Sequence, residues 1–132
     1  LAISKGWERC DPEYVDGPNA ESLVQLMERV RTALNQLQQQ SGFVVVFSHG
    51  FFMKAMLWQI LANPTVIDAV AMNRLLGFSR GFRVPNASIL QMEFDSGGIA
   101  HWSSFITNHL PPELESATPD ATVASDAGDQ PS

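Results

Sequence analysis

Five consecutive residues, Phe43-Val44-Val45-Val46-Phe47, constrain the fold of this chain more than any other feature. β-Branched and aromatic side chains favour extended backbone, and an unbroken apolar run leaves no polar side for water. Following Gly42, such a run predicts a strand buried on both faces, as in a parallel sheet covered by helices. Directly after it the pattern changes period. Ser48, His49 and Gly50 lead into Phe51, Phe52, Met53, Ala55, Met56, Leu57, Trp58, Ile60 and Leu61, apolar around most of a helical wheel. This second helix is expected to be deeply packed, with Lys54 and Gln59 taking what little solvent is available.

The first helix is expected to start near Asn19, a good N-cap, with Glu21 in its first turn, where a carboxylate complements the helix dipole. Leu23, Leu26, Met27, Val30, Leu34 and Leu37 recur at three- and four-residue steps and share one face. Arg29, Arg31 and Gln36 fall on the other side or its borders, and the helix should end between Gln39 and Gly42. Asn63 and Pro64 close the second helix. Thr65 with Asp68 resembles a capping box for a short third one through Val66, Ile67, Val70 and Met72. Asn73 to Arg83, holding Arg74, Arg80 and Arg83, reads as a loop. Ser88 to Phe94 and Ile99 to Phe105 read as an antiparallel hairpin turned at Asp95, Ser96, Gly97 and Gly98. Leu90, Met92 and Phe94 would share one face of it, and Gln91 and Glu93 the other.

The chain thus divides into an irregular opening segment (1–18), a folded α/β body (19–112) and an acidic tail (113–132). From Glu115 onward only Val123 is a larger apolar group, too little to offset chain entropy, so the tail is expected to be disordered. Five of the 14 acidic residues, Glu113, Glu115, Asp120, Asp126 and Asp129, follow Pro112, which leaves 9 acidic and 8 basic groups before it. A nearly neutral body with an acidic tail offers no basic stripe for a phosphodiester backbone, so no nucleic-acid partner is expected. Ser48, His49, Gly50 and Lys54 interrupt the densest apolar region, which argues against a membrane span. The chain opens on Leu1 and shows no secretory signal pattern. The single cysteine, Cys10, cannot form an internal disulfide, and no Cys/His spacing suits zinc. A reducing, cytoplasmic location without metal or cofactor is the expectation.

The chemistry concentrates at Phe47-Ser48-His49-Gly50-Phe51. In open α/β sheets, ligands collect at the carboxyl ends of strands. The opening amides of the following helix point there, and the helix dipole favours an anion by about 0.3 to 1 kcal/mol, up to about 2 in partly buried geometry. An imidazole at the same point can donate a hydrogen bond to a phosphoryl oxygen and, when protonated, place charge opposite it. Gly50 lets the backbone approach closely. A lone histidine capping a strand is equally compatible with a purely structural hydrogen bond.

The order of the motifs carries a resemblance. Val44-Val45-Val46-Phe47-Ser48-His49-Gly50, followed by the apolar helix, resembles the late strand, Ser-His-Gly step and helix of the phosphoglycerate mutase-like histidine phosphatases. Asn19-Ala20-Glu21-Ser22 with Arg29-Val30 resembles an upstream helix start of that family. Val84-Pro85-Asn86-Ala87-Ser88-Ile89 resembles its Pro-Asn-Gly/Ala-Ser turn, and Thr107-Asn108-His109-Leu110 its closing Asn-x-x-His-Leu. The resemblance implies a partial three-layer α/β/α sandwich with a C-terminal β-hairpin, the C-terminal half of the family's domain. It implies a phosphoryl-transfer enzyme fragment whose parent hydrolyses phosphomonoesters, with a phosphorylated small molecule as substrate. His49 would be the second active-site histidine, with Gly50 and Phe51 offering main-chain donors to the phosphate.

The family's nucleophile lies in an Arg-His-Gly motif, and no Arg-His pair occurs here. The general acid and a second phosphate-clamping arginine are likewise expected outside this chain, so Glu8, Glu13 and Glu21 are not assigned the acid's role. A neutral histidine attacking phosphorus, followed by hydrolysis of the phosphohistidine, needs those groups. Ser48 is expected to anchor the strand end, since no Gly-x-Ser-x-Gly elbow exposes it. Arg29 reads as an ion-pair partner on its helix, and the three later arginines as solvated. His101 reads as a surface residue, and His109 as a structural hydrogen-bonding group. Trp7 and Tyr14 read as packing of the opening segment. One alternative is a non-catalytic interaction module of the same fold; an α/β-hydrolase fragment would need a serine elbow that the sequence lacks. Without the neighbouring strand that the family would supply, Phe43 to Phe47 would expose an apolar edge and invite self-association.

Overall fold

The computed structural model describes residues 5–115. The expected disorder of the tail beyond Glu115 lies outside the described residues. The element order is α1 (Lys5–Glu8), α2 (Leu23–Gln38), α3 (Gly50–Ala62), α4 (Ala69–Gly81), β1 (Met92–Phe94), β2 (Ala100–Trp102) and α5 (Pro112–Glu115). The architecture joins helices to a small antiparallel sheet, and that two-stranded sheet is the only one among the described residues.

α2 forms where the apolar period is strongest, but its start is Ser22. The Ser22 hydroxyl accepts from the Gln25 amide at 3.2 Å, and the Ser22 amide donates to the Gln25 side chain at 2.9 Å. This reciprocal capping box satisfies two helix-start donors, and Ser22 is buried. Asn19 instead sits at φ +90, in a turn in which the Ala20 amide donates to the Gly17 carbonyl. Glu21 therefore precedes the helix and does not belong to its first turn.

α3 lies between α2 and α4 and packs against both. Leu23, Leu26, Met27, Val30 and Leu34 of α2 meet Ala55, Met56 and Trp58 of α3 and Ala71, Met72, Leu75 and Leu76 of α4 in one buried cluster. Gln59 is buried, against the expectation of solvent exposure. Arg31 Nε donates to its Oε1 at 3.3 Å, and its amide nitrogen donates to Asn63 Oδ1 at 3.2 Å. Lys54 Nζ donates to the Ser79 carbonyl at 2.6 Å, joining α3 to the last turn of α4. Partial burial holds the Lys54 ammonium below the usual lysine range. Asn63, in the left-handed region at φ +39, ends α3.

α4 corrects the reading of Asn73 to Arg83 as a loop. The helix continues to Gly81 because Leu75 and Leu76 extend the buried face begun by Ala71 and Met72. Its N-cap is Asp68, whose carboxylate accepts from the Ala71 amide at 2.8 Å. Arg74 and Arg80 occupy its exposed side.

β1 and β2 pair with Met92 opposite Trp102, Glu93 opposite His101 and Phe94 opposite Ala100. The turn lies where the sequence placed it. Asp95 Oδ1 accepts from the amides of Gly97 at 2.8 Å and Ile99 at 2.9 Å, and Gly98 takes φ +78. Ile89 bridges Ile106 farther out, one residue out of step with the ladder, so the second strand bulges near Ser103 to Phe105. Met92 and Phe94 pack on the helical core while Glu93 faces water.

The largest departure concerns Phe43 to Phe47. The segment joins no sheet among the described residues, and Phe43 and Phe47 are 93% and 96% exposed. The expected burial on both faces is absent because a strand's backbone bonds and side-chain cover come from other strands and layers. None of the described elements supplies them.

Candidate functional site

His49 is the N-cap residue of α3, with φ −103 and ψ 150, extended backbone that turns directly into the helix. Its carbonyl accepts the Met53 amide at 3.0 Å, and its exposed imidazole makes no capping bond and has no partner among the described residues. The amides of Gly50, Phe51 and Phe52 precede the first intrahelical bond, and no acceptor among the described residues takes them. The ring and these donors therefore belong to one helix terminus. The partial positive charge of such a terminus attracts anions in general. A Cβ built on Gly50 would touch only the Val84 side chain, at 3.8 Å, so packing alone does not require glycine there.

Two of the segments that resemble family landmarks reach the first turn of α3, through Arg29 and Val84. From upstream, the Arg29 guanidinium lies 4.6 Å from the centroid of Phe52 and is held by a paired contact with the Glu21 carboxylate. That contact raises the Arg29 guanidinium above its ordinary value. From downstream, Val84 packs beside Gly50 and opens the turn through Pro85, Asn86 and Ala87. Ser88 closes this turn, its hydroxyl donating to the Pro85 carbonyl at 2.7 Å, and Ala87 sits at φ +54. His109 Nε2 then lies 2.9 Å from the Ala87 carbonyl, the structural role expected of it. Trp7 packs edge-on against Phe51 with ring centroids 5.4 Å apart.

Several of these contacts were not legible beforehand. Arg29 read correctly as an ion-pair partner, but its placement over Phe52 carries no periodic signal. Val84 beside Gly50 is a tertiary contact between residues far apart in sequence. His101 is exposed and faces Asp95 across the hairpin turn at 3.0 Å. A cleft of about 550 Å³ is lined by Arg31, Asn35, Gln38, Gln59, Asn63 and Phe94, among others. His49 is not on its wall, so the candidate site is an open helix terminus separate from that cleft. Among the described residues no three His, Cys, Asp or Glu side chains group as a metal-binding set. No described helix is long and apolar enough to cross a membrane.

The family model of the histidine phosphatase superfamily (branch 1) matches residues 3–104. The match takes in the Glu21–Arg29 pair, the His49 step and the Pro85-Asn86-Ala87-Ser88 turn. No curated protein and no solved structure is significantly similar to the chain. With its Ser-His-Gly step at an open helix terminus and most of its length matched, the chain belongs to the histidine phosphatase superfamily, whose members bind phosphorylated substrates and transfer phosphoryl groups.

Proposed function

We propose that this chain supplies the second-histidine half of a phosphohistidine-dependent phosphomonoesterase, with His49 facing the transferring phosphoryl group. The observation that carries the reading is the His49 ring, without a partner among the described residues, at the same terminus as the Gly50 and Phe51 amides, which no described acceptor takes. In the reaction a histidine outside these 132 residues attacks phosphorus, the ester P–O bond breaks, and a general acid protonates the leaving oxygen. Water then cleaves the N–P bond and restores the nucleophile. His49 and the two amides stabilise the phosphoryl oxygens in both steps. Phe43 to Phe47 becomes a central strand of the three-layer sandwich once the other half lies beside it. A cytoplasmic location fits the unpaired Cys10. The alternative, a non-catalytic module, draws on the missing Arg-His pair, and it predicts no phosphohistidine in the complete protein.

Magnitudes set what the isolated chain can do. A helix terminus contributes up to about 2 kcal/mol toward an anion, whereas a complex with a dissociation constant of about 1 mM needs roughly 4 kcal/mol. Phosphate should therefore bind more weakly than about 1 mM. The test is an NMR titration of the chain with inorganic phosphate into the tens-of-millimolar range. The His49 ring and the Gly50 and Phe51 amides should shift together, and His49→Ala should weaken the amide shifts. Hydrolysis of p-nitrophenyl phosphate should not exceed that of the His49→Ala control. Resonances that stay still defeat the assignment, and so does robust His49-dependent turnover, which would place the whole machinery within this chain.

A further inference from the structure

The register of the hairpin changes between its ladder and its open end, and a pocket lies at the change. Met92 pairs with Trp102, whereas Ile89 bridges Ile106, so the second strand carries one extra residue between them. Such a bulge bends its strand and re-aims side chains, and bulges are frequent beside functional sites. Here the bend is held from within. The Ser103 hydroxyl accepts from the Gln91 amide at 3.1 Å and donates to the Ser104 carbonyl at 2.8 Å. The bulge residues Ser103, Ser104 and Phe105 wall a pocket of about 400 Å³ together with Trp102 of β2 and with Phe82 and Arg83, which follow α4.

Three features point to what this pocket takes. Its apolar walls are largely rings: Phe82 stacks on Phe78 with centroids 4.9 Å apart and meets Phe105 edge-on at 5.8 Å, and Trp102 adds a third aromatic wall. Aromatic groups favour offset-stacked or edge-to-face partners, so a planar ring gains more here than an aliphatic chain of similar area. No Asp or Glu lines the pocket, so a phosphoryl group attached to its occupant meets no like charge from the walls. Position is the third feature. Val84, the chain neighbour of Arg83, packs beside Gly50 at the α3 terminus, and consecutive Cα atoms lie about 3.8 Å apart. One residue therefore separates the pocket wall from the candidate phosphate site, and residues 43–47 form no part of the pocket.

We propose that this pocket receives the alcohol portion of the phosphomonoester, and that this portion is an aryl group whose phosphate lies at the His49 and Gly50 terminus. The inference rests on the phosphoryl-transfer reading and names the substrate class for that site.

NMR titrations of the chain with phenyl phosphate, inorganic phosphate and phenol test it. Phenyl phosphate should shift the Gly50 amide and the Trp102 indole N–H along one binding curve. Its affinity should exceed that of inorganic phosphate by roughly tenfold, the gain from partly covering a phenyl ring. Inorganic phosphate should move Gly50 without Trp102, and phenol should move Trp102 without Gly50. Ser104→Trp, which fills the pocket from an exposed position, should abolish the tenfold advantage of phenyl phosphate. Equal affinity for the two phosphates, a silent Trp102, or separate curves for the two resonances overturns this inference while Gly50 still answers to phosphate and the phosphoryl-transfer reading stands. A Gly50 amide that stays still in every titration overturns that reading, and this inference with it. If Ser104→Trp fails to fold, the titrations of the unmodified chain decide.

Discussion

The core face of α2 and the Phe43–Phe47 segment are both apolar in sequence, yet Met27 and Val30 are fully buried while Phe43 and Phe47 stand almost wholly in water. The difference lies in where each finds its backbone partners. α2 closes its hydrogen bonds within itself, so it needs only an apolar neighbour, and α3 and α4 provide one. An extended segment closes its bonds on other strands, and β1 and β2 are already paired with each other. Helical packing is therefore self-sufficient in this body, whereas the extended segment finds no backbone partner among the described residues.

The sharpest way to break this contrast is to truncate one residue of each kind. Met27→Ala should destabilise the chain by about 2 to 5 kcal/mol in chemical denaturation, because its side chain is sealed between helices. Phe43→Ala should change the helical unfolding free energy by no more than about 0.5 kcal/mol in dilute solution. Comparable losses would mean that the segment belongs to the core after all.

A smaller effect sharpens the claim that helices here are locally complete. Ser22→Ala removes the capping box of α2 and should cost about 1 kcal/mol. Ser22→Asp should recover part of that loss, since a carboxylate can also cap. Asn19→Ala should leave the cap intact, because Asn19 lies outside the helix.

The smallest effect concerns the hairpin. The His101 hydrogen bond, with those from the Ile99 and Gly97 amides, holds the Asp95 carboxyl below its ordinary value. A depressed folded value means this contribution is complete above the unfolded carboxyl range, near pH 4, and is lost as pH falls through the lower folded value. The Gly97 and Ile99 amide resonances should therefore titrate below the normal aspartate range, and Asp95→Asn should remove that titration.

Local signals explain what was legible. The buried set Leu23, Leu26, Met27, Val30 and Leu34 followed from three- and four-residue spacing, and the hairpin turn followed from Asp95, Gly97 and Gly98. The helix start was misplaced because Asn19 and Ser22 are both good caps, and only the reciprocal bond with Gln25 chooses between them. α4 was missed because Arg74, Gly77, Ser79 and Arg80 dilute its apolar period, while packing on α3 compensates for their weak propensity. At the candidate site, His49 and Gly50 stood out as a strand-to-helix step. The Arg29 approach to Phe52 and the Val84 contact at Gly50 could not be read, since nothing in local spacing encodes them.

The sequence by itself determined the apolar faces of α2 and α3, the turn at Asp95–Gly98 and the position of His49 at a helix terminus. Periodicity, capping chemistry and glycine's backbone freedom act over a few residues and need no distant partner. Only the tertiary structure decided that Gln59 is buried, that α4 runs to Gly81 and that Phe43–Phe47 lies uncovered. Those outcomes depend on which surfaces remain to be shared, and a strand's free energy is settled by neighbours that its own residues do not specify.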